Sequence, residues 1–99
     1  MNRIKQIAKQ DAQTQLREAK AVFVDIRDPR SFEEDHVPGA IHLSDANVES
    51  FLREADKAKT TIVYCYHGIS SQGAAEYLQE KGFSDVFSLI GGFEEWRRD

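Results

Sequence analysis

The chain has 99 residues but only one cysteine, Cys65, and two prolines. A lone cysteine excludes an internal disulfide and any zinc knuckle built from cysteine pairs, and it favours a reducing compartment. No apolar run approaches the roughly 18–20 residues of a membrane span. The opening Met1-Asn2-Arg3-Ile4-Lys5-Gln6 lacks the apolar core of a signal segment. A cytoplasmic location without membrane association is therefore expected. Positive charge is outnumbered: 13 Lys and Arg stand against 17 Asp and Glu, for a formal net charge of −4. That balance argues against nucleic acid or an anionic lipid surface as the main partner. Repeats, low-complexity tracts and linkers are absent. Pro29 and Pro38 bracket one irregular region rather than divide two units, so residues 1–99 are expected to form a single domain. His36 and His42 lie in different local contexts and no third ligand keeps a fixed spacing, so neither a metal nor another cofactor is expected.

What is present is an alternation of strand and helix patterns. Ile4 to Ala8 reads as a short first strand. Asp11 is a candidate cap for a helix through about Lys20, with Ala12, Leu16 and Ala19 on one face. Ala21 to Ile26 is an apolar run typical of a buried strand. Asp28 can cap a short helix through about Asp35, with Pro29 at the first helical position, where no amide bond is lost. Val37-Pro38-Gly39-Ala40 is a turn, and Ile41-His42-Leu43 a short strand. Ser44 or Asp45 can cap a helix through about Ala55, whose Val48, Phe51, Leu52 and Ala55 have the spacing of a core-facing stripe. Thr60 to Tyr64 is a β-branched strand. Ser70 or Ser71 can cap a helix through about Lys81, with Ala74, Tyr77 and Leu78 facing inward and Gly82 as its stop. Val86 to Ile90 is a last strand, and Gly91-Gly92 turns into a terminal helix carrying Phe93 and Trp96. This order gives an α/β fold with a mostly parallel sheet.

Cys65 falls where a central strand ends and a helix is about to begin. In open α/β sheets ligands bind beyond the carboxyl ends of the strands. The amides of the intervening loop can curl into a concavity of N–H donors, the helix N-terminus adds partial positive charge, and Gly68 permits a tight turn. Such a cradle lowers a thiol pKa, and the thiolate is the nucleophile. The residues alone leave two readings open: an inert small core residue or a reactive thiol. His67 can lower the cysteine pKa or bind an anion, or it can simply be solvated. Asp25 and Arg27 leave their strand near the same edge. They can form an ion pair, bond to loop backbone, or touch substrate. No Gly-x-Ser-x-Gly elbow supports a serine hydrolase, and Gly91-Gly92 reads as a turn rather than a phosphate loop.

Four pieces, in order, carry a resemblance over nearly the whole chain. They are Val24-Asp25-Ile26-Arg27; Phe32-x-x-x-His36-Val37-Pro38-Gly39-Ala40-Ile41-His42; Ile62-Val63-Tyr64-Cys65 with its loop; and Gly91-Gly92-Phe93-x-x-Trp96. Together they resemble the rhodanese family of sulfurtransferases. The loop Cys65-Tyr66-His67-Gly68-Ile69-Ser70-Ser71 is similar to that of its small bacterial thiosulfate sulfurtransferases. The resemblance implies a five-stranded, mostly parallel sheet with helices on both faces. It implies that Cys65 takes the outer sulfur of thiosulfate as a persulfide and passes it, by a ping-pong route, to cyanide or to a thiol acceptor such as thioredoxin. The amides from Tyr66 to Ser71 would surround that sulfur, with no cofactor required. Cysteine phosphatases use a Cys-x5-Arg loop, whereas Ser71 stands six positions after Cys65 here. Ser70 occupies a place where relatives commonly carry arginine, which leaves open a sulfur donor other than thiosulfate. A rhodanese-like binding module without turnover is the alternative from another class.

Overall fold

The computed structural model describes residues 4–98. Five strands and five helices alternate: β1 (Lys5–Ile7), α1 (Lys9–Arg17), β2 (Ala21–Asp25), α2 (Pro29–Glu34), β3 (Ile41–His42), α3 (Val48–Glu54), β4 (Thr60–Tyr64), α4 (Ser70–Glu80), β5 (Val86–Leu89) and α5 (Gly92–Trp96). The strands form one sheet in the order β1-β5-β4-β2-β3, and every pairing among the described residues is parallel. Strand β4 is central, flanked by β2 and β5, so the end of β4 opens at the middle of the sheet's carboxyl edge.

The apolar runs of β2 and β4 are explained by burial on both faces. Alternate residues enter opposite cores, as the twofold period of a strand requires. Phe23, Ile62, Tyr64 and Leu89 pack with Ile7, Ala12, Leu16, Phe93 and Trp96, beneath α1 and α5. Val24, Val63 and Val86 pack with Phe51, Leu52, Ala75, Leu78 and Phe83, beneath α3 and α4. Helices therefore cover both faces. Ile62 and Leu78 are fully buried, and each contributes about 1.5–3 kcal/mol by leaving water. No helix among the described residues is long and apolar enough to cross a membrane.

Most element boundaries fall within two residues of expectation, but three capping assignments differ. Helix α1 begins at Lys9 with Ala8 before it, so Asp11 is not its cap but an acid in the first turn, favourably placed against the positive helix end. Ala19 is not on the helix face. It is exposed and takes a left-handed φ of 55° just past the helix end. Helix α3 follows Asn47 rather than Ser44 or Asp45. The Asn47 side chain instead accepts the Ser44 amide at 2.8 Å and donates to the His42 carbonyl at 2.7 Å, tying the helix to β3. Helix α4 follows Ile69, and neither Ser70 nor Ser71 caps it. Its inner face is Ser71, Ala75 and Leu78. Ala74 is half-buried, while Tyr77 lies on the exposed side. By contrast, Asp28 caps α2 as expected, its carboxylate accepting the Ser31 amide at 3.1 Å.

Candidate functional site at the end of strand β4

Strand β4 delivers Cys65 to the floor of a shallow cleft of about 250 Å³, lined by Cys65, Tyr66, His67, Ile69 and Ser70. The thiol is only 5 % exposed. Its sulfur receives the backbone N–H of Gly68 at 3.2 Å and of Ser71 at 3.3 Å, and the Ser71 hydroxyl lies 3.4 Å away. Burial pushes the thiol up, but the Ser71 hydroxyl and the amides of Ser71, Gly68 and His67 outweigh it, so the net shift is below the ordinary thiol value. All the opposing influences are hydrogen-bond donors that favour the charged form. Donors converging on one sulfur in a nest of this kind favour its ionised form.

The nest is held from behind. Helix α5 donates the Phe93 amide to the Cys65 carbonyl at 2.8 Å and the Glu94 amide to the Tyr66 carbonyl at 3.0 Å. With these carbonyls turned toward α5, the following amides are free to face the sulfur. The approach demands glycine at two places. A Cβ on Gly92 would lie 2.6 Å from the Cys65 and Tyr66 carbonyl oxygens, and one on Gly68 would lie 2.8 Å from the Gly91 nitrogen. Both residues also have positive φ, 61° and 88° respectively, a region costly for other residues. Gly91-Gly92 is a turn, as expected, and also the seat of the cysteine loop.

The remaining loop residues separate into distinct environments. Ser71 is fully buried; its hydroxyl bridges Cys65 Sγ and the hydroxyl of Ser88 on β5, 2.7 Å away. Ser70 and His67 are exposed. It is the His67 amide, not its imidazole, that acts on the thiol. Ile69 projects into solvent, 76 % exposed, at the rim. Tyr66 is partly exposed, and its hydroxyl bonds to the Asp28 carboxylate and the Ser31 hydroxyl of α2. The Tyr66 bond foremost, with the hydroxyl and amide of Ser31, holds the Asp28 carboxyl down at about 2.

Asp25 and Arg27 form a buried ion pair. Arg27 Nη2 meets Asp25 Oδ2 at 2.7 Å, and Nε lies 3.1 Å from both carboxylate oxygens. Nη2 also donates to the Asp35 carbonyl at 2.6 Å. The guanidinium lies 4.1 Å from the Phe93 ring centroid, linking the end of β2 to the helix that seats the loop. The Arg27 charge is thus committed to Asp25. His36 and His42 each bond to a backbone carbonyl, of Phe32 and Arg27 respectively. Among the described residues no group of three His, Cys, Asp or Glu side chains is placed to hold a metal ion.

Two features escape a reading of the sequence. Ser88 is a polar residue inside the apolar run Val86-Phe87-Ser88-Leu89, and that interruption is the available signal. The pairing of Tyr66 with Asp28 and Ser31 joins segments far apart in sequence and leaves no signal.

Comparison with known proteins agrees with this architecture. A model of the family described as "Rhodanese-like domain" matches residues 8–99. A protein of Pseudomonas syringae pv. syringae named thiosulfate sulfurtransferase GlpE is 53 % identical over 97 residues, covering 98 % of this chain and 91 % of that one. A crystal structure of a rhodanese-like domain protein from Staphylococcus aureus superposes with a TM-score of 0.83 at 24 % identity, covering 97 % of this chain and 94 % of that one. A structure from Rhodopseudomonas palustris, described as a protein of unknown function and possible tyrosine phosphatase, gives a TM-score of 0.79 at 30 % identity, covering 95 % and 80 %.

Proposed function

The chain belongs to the rhodanese-like domain family and is a sulfurtransferase, and on that premise we propose that Cys65 carries the transferred sulfur as a persulfide. The Cys65 thiolate attacks the outer sulfur of thiosulfate. The sulfur–sulfur bond of the donor breaks, sulfite leaves with its electron pair, and a persulfide anion remains on Cys65. A second nucleophile, cyanide or a thiol acceptor such as thioredoxin, then attacks the outer persulfide sulfur and regenerates the thiolate. The two half-reactions predict ping-pong kinetics.

The observation that carries this reading is the nest at the end of β4, where two amides and a hydroxyl converge on one buried sulfur. The same donors are already aimed at the Cys65 sulfur, where negative charge returns as the acceptor takes the outer sulfur. Tyr66, His67, Ile69 and Ser70 line the space a donor would enter. Asp25 and Arg27 take a supporting role, bracing α5 and the loop. Because the cleft lining has no arginine or lysine, donors with less charge than thiosulfate, including other persulfides, fit the same mechanism. A phosphatase reading lacks the arginine that would grip phosphate in a fork.

The test is the intact mass after incubation with thiosulfate, polysulfide and a cysteine-desulfurase donor in parallel. A gain of one sulfur atom, removed by cyanide and absent in Cys65→Ser, is expected. An unchanged mass with every donor would overturn the proposal in favour of a binding module, and turnover of an aryl phosphate without sulfur transfer would overturn it in favour of a phosphatase.

A further inference from the structure

Ser88 and Ser71 are both fully buried, and their hydroxyls lie 2.7 Å apart. Ser88 sits on β5, in register with Val63 of β4, one strand away from the strand that carries Cys65. Its hydroxyl has no other hydrogen bond among the described residues. Ser71, at the start of α4, spends its hydroxyl on two neighbours only, Ser88 and Cys65. Cys65, Ser71 and Ser88 therefore form a chain of three groups, closed at its inner end.

Each hydroxyl has one proton and can also accept. With Cys65 ionised, the sulfur is an acceptor only. Ser71 then donates to the sulfur, and Ser88 donates to Ser71. Every proton in the chain has an acceptor. With Cys65 protonated and its S–H directed at Ser71, one buried hydroxyl proton loses its acceptor. Either Ser71 turns to donate to Ser88 and strands the Ser88 proton, or Ser71 accepts from both neighbours and its own proton is stranded. A buried donor without a partner is costly, and hydrogen bonds in a chain that all point one way reinforce one another.

We propose that Ser88 is a positioning residue for the sulfur chemistry: its hydroxyl, anchored in β5, orients the Ser71 hydroxyl so that it donates to the Cys65 sulfur. Ser88 touches neither the sulfur nor the cleft. It acts through Ser71 alone, and the inference rests on the reading of Cys65 as the nucleophile. The titratable and charged groups that face the loop are His67 and Tyr66 within it, Tyr64 at the end of β4, the Asp25–Arg27 pair at the end of β2, Asp28 at the cap of α2 and Glu94 in α5. Neither β5 nor the first turn of α4 contributes one, so the effect of Ser88 is through hydrogen bonding rather than through a neighbouring charge.

The experiment is the pH profile of iodoacetamide alkylation, which reports Cys65 alone because the chain has no other cysteine. It is run on the parent, Ser88→Ala, Ser71→Ala and the double variant, each checked for folding by circular dichroism. Ser88→Ala should move the midpoint upward and slow alkylation below the midpoint by about three- to tenfold, the size of one neutral hydrogen bond passed on to the sulfur through Ser71. Added to Ser71→Ala, the same substitution should change the rate by less than about 1.5-fold, because its only route to the sulfur is gone. An unmoved midpoint in folded Ser88→Ala, or an equal shift in both backgrounds, would overturn the proposal. The sulfur-uptake mass measurement on the parent fails separately if Cys65 is not the sulfur carrier, so the two failures are distinguishable.

Discussion

Replacing Gly92 by alanine tests whether α5 seats the cysteine loop. The added methyl group would lie 2.6 Å from the carbonyl oxygens of Cys65 and Tyr66, which are backbone atoms and cannot rotate away. Either the loop or the helix must retreat. Retreat breaks the Phe93–Cys65 and Glu94–Tyr66 hydrogen bonds, each worth about 1 kcal/mol net. The φ of 61° adds a backbone cost of about 1–2 kcal/mol for a residue with a Cβ. Overpacking at a buried contact adds about 1–3 kcal/mol. The expected loss is about 4–7 kcal/mol, which for a chain of this size lowers the melting temperature by about 15 °C or more. Circular dichroism melts measure that fall. At temperatures where the variant is still folded, the alkylation midpoint should also rise, because the displaced carbonyls no longer hold the amides toward the sulfur. Gly73→Ala is the matched control: Gly73 lies within α4, and a methyl group added there would meet nothing within 4 Å. It should stabilise by about 0.5–1 kcal/mol through helix propensity. A Gly92→Ala protein melting within about 3 °C of the parent, with an unchanged alkylation profile, would refute the seating argument.

Arg27→Ala should lower stability by about 3–5 kcal/mol, because it strands the fully buried Asp25 carboxylate; a urea denaturation curve at neutral pH measures it, and a loss under about 1 kcal/mol would contradict the pairing. Tyr66→Phe should return the Asp28 carboxyl from about 2 toward its ordinary 3.8, as followed by NMR titration. The sign follows from linkage. A depressed folded pKa contributes stability above 3.8 that is lost as pH falls toward about 2. The parent should therefore lose more stability across that window than the variant, and parallel acid denaturation curves would count against the Tyr66–Asp28 bond.

The parts of the fold legible in the sequence are those where one local pattern meets one environment. Thr60 to Tyr64 reads as a strand because both of its faces are covered, and Asp28-Pro29 reads as a helix start because cap and first turn are adjacent in the chain. The start of α4 misleads because Ser71 has the chemistry of a cap, yet its hydroxyl is used on Cys65 and Ser88, a demand that only tertiary packing reveals. Tyr77 misleads for a related reason: the face of α4 is set by Ser71, which must reach the sulfur, and that rotation carries the tyrosine outward. At the site itself, Cys65 and Gly68 stand out from the strand–loop–helix order. The amide nest follows from that order too, but not the separation of the His67 imidazole from it. Gly91-Gly92 announces a turn in any context, and its contact with the loop emerges only when β5 lies beside β4.

The seat provided by α5 also bears on when the donors can gather around the thiol. A ribosome emits Cys65 and its loop well before Gly92 and Phe93. Until that later segment arrives and β5 pairs with β4, the loop carbonyls have no partners to turn toward and the amides no reason to converge. During synthesis the cysteine is therefore an ordinary thiol, poorly ionised at neutral pH, and its donors gather only after the later parts of the chain are made. Assembly of the donors around the sulfur is thus a late folding event, coupled to closure of a non-local contact.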